Sequence, residues 1–116
     1  MPFYYRLSKP SELESEITAD VVIYCANKLN ICPPKVLFIK NTQDKENSVL
    51  SYDIDGAGFA EAVSKTIYIT LPTNLYRMVH TVAHECWHIY EGKHNMPVSE
   101  DKANYFGSQI QKELMK

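Results

Sequence analysis

NLYRMVHTVAHECWHIYEGKH, residues 74–94, contains all four histidines of the chain. Leu75, Met78, Val79, Val82, Ala83 and Ile89 recur in it at helical spacing, and Thr73 or Asn74 can cap its start. The spacing predicts a helix to about Glu91 that stops at Gly92. Inside that helix stands His84-Glu85-Cys86-Trp87-His88, an HExxH pattern. Two imidazoles four residues apart project from one helix face in successive turns and can both reach one ion. Glu85, about 100° round from His84, borders that face and can reach a water in an open coordination position. These residue types suit one Zn2+ per chain, which would acidify the water and polarise a carbonyl while Glu85 takes the proton as general base. Two half-buried polar histidines on an amphipathic helix would give the same letters. The intact spacing, the helical context and the lack of histidine elsewhere favour the metal.

The remaining ligand is less directly written. His80 lies one turn before His84, and one straight helix cannot easily aim three ligands over eight residues at a tetrahedral ion, so His80 is expected beside the site rather than on the metal. Glu91 meets the same objection. His94 follows His88 at the spacing of the HExxHxxGxxH pattern of metzincins, but Glu91 stands where that pattern needs glycine, Gly92 comes one residue late, and Met96 is too close for a separate methionine turn. Glu100 is the other candidate, next to the buried stripe of a following helix, whereas Asp101 should face further out. An acidic residue in a first helical turn also complements the helix dipole without any metal.

Outward from the motif, Ser11 with Glu14 forms a capping box before Leu13, Ile17, Val21, Tyr24, Cys25 and Leu29, predicting a helix from about Glu12 to Leu29. KVLFIK (35–40) reads as a buried strand and SVLSYDI (48–54) as a second, with Asp55-Gly56-Ala57-Gly58 as the turn out of it. FAEAV (59–63) and KTIYITL (65–71) read as two more strands about a turn at Ser64-Lys65. The apolar, aromatic PFYY (2–5) is expected to be a packed terminus rather than a strand. A last helix fits VSEDKANYFGSQIQKELMK (98–116), with Ala103, Phe106, Ile110 and Leu114 as its buried stripe. The fold class expected is α+β: a small, mostly antiparallel sheet of three to four strands packed with an N-terminal helix, the HExxH helix and a C-terminal helix.

With 116 residues, the chain is expected to be a single domain, 1–116. A net charge of −2 without a Lys/Arg block gives no reason to expect nucleic acid. MPFYYRLSKP lacks the basic start and apolar run of a signal peptide, and no apolar stretch approaches the ~20 residues of a membrane span. Cys25, Cys32 and Cys86 are an odd set without CxxC spacing, so neither a disulfide framework nor a thiolate cluster is expected, and a cytoplasmic location is. Cys25 and Cys86 fit small core residues.

VAHECWHIYEG followed by EDKANYFGSQI resembles the ImmA/IrrE-type zinc peptidase-like domains, whose HExxH helix is followed by a helix reading E-x-x-A-[ND]-x-F-[AG]. The matching residues are Glu100, Ala103, Asn104, Phe106 and Gly107, and AVSKTIYITLP resembles the edge strand preceding the metal helix in that family. The resemblance covers roughly residues 50 to 115. It implies a zincin-like fold and a gluzincin-type site, with His84, His88 and Glu100 as zinc ligands and Glu85 as general base. Family members often have a longer segment between the motifs, and many carry a helix-turn-helix domain without counterpart in these residues. The short spacing is closer to the single-domain minigluzincins.

The function expected is zinc-dependent endopeptidase, with a protein or peptide substrate added as a strand along an edge near residues 66–70. The alternative is a zinc-stabilised module that binds a protein segment without cutting it. Tyr68 is a candidate for lining the cleft, Tyr90 and Tyr105 for oxyanion donors, and Gly56 and Gly58 for turn residues.

Overall fold

The computed structural model describes residues 4–43, 46, 48 and 58–115. Seven elements follow in the order β1 (Tyr4–Leu7), α1 (Glu12–Leu29), β2 (Lys35–Thr42), β3 (Gly58–Glu61), β4 (Thr66–Thr70), α2 (Leu75–Lys93) and α3 (Glu100–Leu114). This is the expected α+β class with its three helices. Most of 48–54 and the turn at 55–57 lie outside the described residues.

The local chemistry of α1 fixes both of its ends. Ser11 Oγ accepts from Glu14 N at 3.1 Å while Glu14 Oε1 accepts from Ser11 N at 2.8 Å, the reciprocal pair of a capping box. At the other end Asn30 turns left-handed at φ 54° and Ile31 N returns to Ala26 O, which satisfies the last carbonyls.

The sheet order is β1-β2-β4-β3. The outer pairs are antiparallel, and the central pair is parallel, with Val36 opposite Ile67 and Phe38 opposite Ile69. Two expectations are corrected here. PFYY contributes to a strand, since Tyr4 to Leu7 pair with β2 and Tyr5 is buried. TIYIT is an interior strand, not an edge. Burial of Thr66, Ile67 and Ile69 suits a strand covered on both sides, and the apolar run that resembled an edge strand is a central one. Among the described residues β3 takes the outer position.

Gly58 belongs to β3 and not to a turn. A Cβ there would stand 2.3 Å from Tyr68 O, so the residue is glycine because the two strands need that approach. Similarly, Gly92 does not end α2, which continues to Lys93, with the left-handed residue at Asn95. A Cβ on Gly92 would lie 2.5 Å from the Ala62 Cβ, so this glycine lets the end of β3 close on the helix.

The core lies between the sheet and α2, with α1 packed on one flank of α2 and α3 on the other. Val21, Val22, Ile67, Ile69, Met78, Val82, Cys86 and Ile110 are all buried in it. Cys25 and Cys86 are core residues as expected, and the Cys86 thiol is pushed well up by its hydrogen bond with Cys25 and by burial. Thr18 Oγ1 meets Met78 Sδ at 3.2 Å across the α1–α2 contact. In α3 the buried stripe is Ala103, Phe106, Gly107 and Ile110, while Leu114, expected inside, is exposed. A Cβ on Gly107 would stand 2.9 Å from His80 O, so α3 approaches α2 closely there. No helix among the described residues is long and apolar enough to cross a membrane.

Candidate metal centre

The helix α2 starts where Asn74 Oδ1 accepts from Arg77 N at 2.7 Å, and it carries His84 and His88 on one face as their spacing requires. Their Nε2 atoms are 3.2 Å apart. The helix α3 starts at Ser99, whose hydroxyl accepts from Lys102 N, and its first residue extends a carboxylate back to both rings. Glu100 Oε2 is 3.0 Å from His84 Nε2, and Oε1 is 3.0 Å from His88 Nε2. Ligand atoms around a tetrahedral zinc at ~2.0–2.1 Å stand roughly 3.3 Å from one another, so these separations have the scale of one coordination sphere.

His84, Glu85 and His88 also form a group whose potential ligand atoms lie within 4.8 Å of one another and could hold an ion. Two carboxylates therefore border the histidine pair, and they differ. Glu100 is largely exposed and 3.0 Å from both rings; Glu85 is buried, has Oε1 3.7 Å from His84 Nε2, and keeps Oε2 buried without a hydrogen-bond partner. Burial pushes the Glu85 carboxyl up to about 7, helped by the negative Glu100 and opposed by His88. A buried carboxylate oxygen with nothing to accept from, beside two nitrogens directed at one point, fits a site built for an ion and a water.

His84 is held below its ordinary range, first by burial and then by the neighbouring His88, against the pull of Glu100 and a hydrogen bond with Asn104. A neutral imidazole is what a metal needs. Asn104 is four residues after Glu100 and so shares its face of α3.

Glu91 supports the other ring. Its side chain is 1% exposed, Oε1 accepts from His88 Nδ1 at 2.7 Å and Oε2 accepts from Ser99 N at 3.0 Å. A carboxylate can only accept, so the proton sits on His88 Nδ1 and points to Glu91, and the Nε2 lone pair faces the site. Both Glu91 oxygens are thus engaged by His88 Nδ1 and Ser99 N, away from the paired Nε2 atoms. The signal of Glu91 is an acidic side chain in a last helical turn, where the dipole disfavours it, three residues past the second histidine.

The other candidates separate cleanly. His80 lines the cleft one turn away, its ring centroid 6.1 Å from that of His84 and its backbone against Gly107, outside the His84, Glu85 and His88 group. His94 is the exposed cap of α2, its ring 4.6 Å from Tyr90, and is not in the cluster. Asp101 is exposed. Tyr68 stacks on Phe59 at 4.5 Å, and Phe59 rather than Tyr68 lines the cleft. Neither Tyr90 nor Tyr105 is among the described residues that line it.

The cleft has a volume of about 650 Å³ between β3 and the facing sides of α2 and α3. No family model, curated protein or solved structure matches the chain. Its chemistry is read from these side chains alone.

Proposed function

We propose that the chain is a zinc-dependent metallopeptidase of gluzincin type, akin to the ImmA/IrrE-like domains its motifs resemble, with His84, His88 and Glu100 as ligands and Glu85 as general base. The observation that carries this reading is the Glu100 carboxylate 3.0 Å from both Nε2 atoms, with the buried Glu85 carboxylate bordering them, its Oε1 3.7 Å from His84 Nε2. When bound, the ion supplies a Lewis acid that acidifies a water and polarises the scissile carbonyl.

The chain's own groups do the rest. The Glu85 carboxylate takes the proton of the attacking water, and its raised affinity for protons near neutrality suits it to hold that proton and pass it to the leaving amine. Glu91 and Asn104 keep the two imidazoles turned to the site so that no rotation is needed as the reaction proceeds. The substrate is a peptide lying in the cleft along β3, in place of the expected strand at 66–70.

Metal content measured on the purified chain and on Glu100→Ala and His94→Ala tests the ligand set, and Glu85→Gln tests the chemistry. One zinc per chain, lost with Glu100 and kept without His94, supports the site. Cleavage of a casein or peptide-library substrate abolished by Glu85→Gln with zinc retained supports the peptidase. Zinc that follows His94 overturns the ligand set. Peptide binding without turnover in the zinc-loaded wild type leaves the non-catalytic binding module.

A further inference from the structure

The cleft has a direction. Gly58 at the start of β3 is set against Thr81, where an added Cβ would be 3.3 Å from Cγ2, and Ala62 just past its end is set against Gly92. The strand thus runs alongside α2 in the same sense, spanning the turns that carry His84 and His88. Beyond the Gly58 end the lining is polar, with Arg77 and His80; beyond the Ala62 end it is apolar, with Met96 and Val98.

Arg77 stands out among the charged lining residues. Glu85 and Glu100 are absorbed by the metal site proposed above, on which this inference rests, whereas Arg77 is not. The Arg77 side chain is exposed, and among the described residues its guanidinium has neither an ion-pair nor a hydrogen-bond partner. Lys28, by contrast, is held by Glu113 at 2.6 Å. Arg77 precedes His84 by seven residues, about 10 Å along the helix axis. An extended peptide rises about 3.3 Å per residue, so a residue about three to four positions from the carbonyl at the metal site would lie at Arg77.

We infer that Arg77 is a specificity residue that takes a peptide carboxylate about three to four positions from the cleaved bond, with the opposite end of the cleft taking an apolar side chain. A planar guanidinium pairs with a carboxylate through two parallel hydrogen bonds, and an exposed pair of this kind discriminates modestly and loses strength with salt. The carboxylate can belong to a Glu or Asp side chain or to the C-terminus of a short peptide. Both present the same group to the same guanidinium.

The test uses the zinc-loaded full chain and short fluorogenic peptides that place Glu or Gln at successive positions on each side of the bond, with the C-terminus free or amidated. The wild type is expected to prefer one Glu position by about two- to fivefold in kcat/KM, less at high salt. Arg77→Ala should bring the Glu:Gln ratio to about one, and Arg77→Glu should transfer the preference to Lys at that position. A preference that follows the free C-terminus rather than Glu identifies the terminal carboxylate as the source. No preference in the wild type, or one unchanged in Arg77→Ala, overturns the inference. Binding of the same peptides to zinc-loaded Glu85→Gln, read by fluorescence anisotropy, separates this from the peptidase reading. If nothing is cleaved but Glu peptides bind more tightly in an Arg77-dependent way, the carboxylate site stands and the peptidase falls.

Discussion

The helices α1 and α3 pack against the same central helix, and they do different work for it. The contact from α1 is almost wholly apolar, through Val21, Val22, Cys25 and the Thr18–Met78 approach, on the side of α2 away from the histidines. The contact from α3 is mixed: Ala103, Phe106 and Ile110 are buried in it and Gln111 Nε2 donates to Tyr76 O, while Ser99 N donates to Glu91 and Glu100 and Asn104 reach the imidazoles. One flank holds the histidine helix in place and the other brings polar groups to its imidazoles, so damage to the two should be read by different instruments.

The sharpest form of that contrast starts on α2 itself. Glu85→Gln should lower peptide turnover by roughly 10²- to 10⁴-fold while zinc content and thermal unfolding stay near those of the wild type. Turnover surviving in that variant would remove Glu85 from the mechanism. Glu100→Ala removes the proposed ligand from α3 and should weaken zinc by more than the ~10- to 100-fold expected of an outer partner, measured by competition with a chromogenic chelator. Glu91→Gln belongs in that outer class, since the amide can present a nitrogen to His88 and no longer fixes which ring nitrogen carries the proton; its zinc affinity should fall by about 10- to 100-fold.

On the other flank, Val21→Ala should lower unfolding stability by about 2 kcal/mol and leave the zinc affinity of the folded chain unchanged. A matching loss of affinity would show that α1 sets the histidine geometry as well as supporting it. The smallest effect belongs to Lys28→Ala at the exposed Lys28–Glu113 pair joining α1 to α3, where neither stability nor zinc binding should change measurably.

What could be read in the sequence divides along the same physical line. Elements set by neighbours a few residues away were legible: the capping box and the apolar spacing bounded α1 at Glu12 and Leu29, and the HExxH spacing placed two imidazoles on one face. Glu100 was legible as a candidate because its position beside the Ala103 stripe aims it inwards. Strand order was not, because TIYIT shows the same apolar run whether it pairs on one side or two, and only its partners decide. The glycines were misassigned for a related reason. Gly58 and Gly92 look like turn and stop signals in one dimension, while in the fold each answers to an atom from another element, Tyr68 O and Ala62 Cβ. Glu91 was hidden because its partner Ser99 sits eight residues on, across the α2–α3 connection.

Gly107 shows what such a missing atom can govern. It sits two turns from Glu100 on one rigid helix, at the point where α3 touches the backbone of His80. Helix and contact together act as a lever with its fulcrum at that glycine, and the carboxylate rides on the far arm. A single methyl at the fulcrum would be felt as a longer reach at the tip, so the Glu100 carboxylate, about 10 Å away along the helix, would draw back from the imidazoles before the chain lost its shape. The bore of the site is set by an atom that is absent from it.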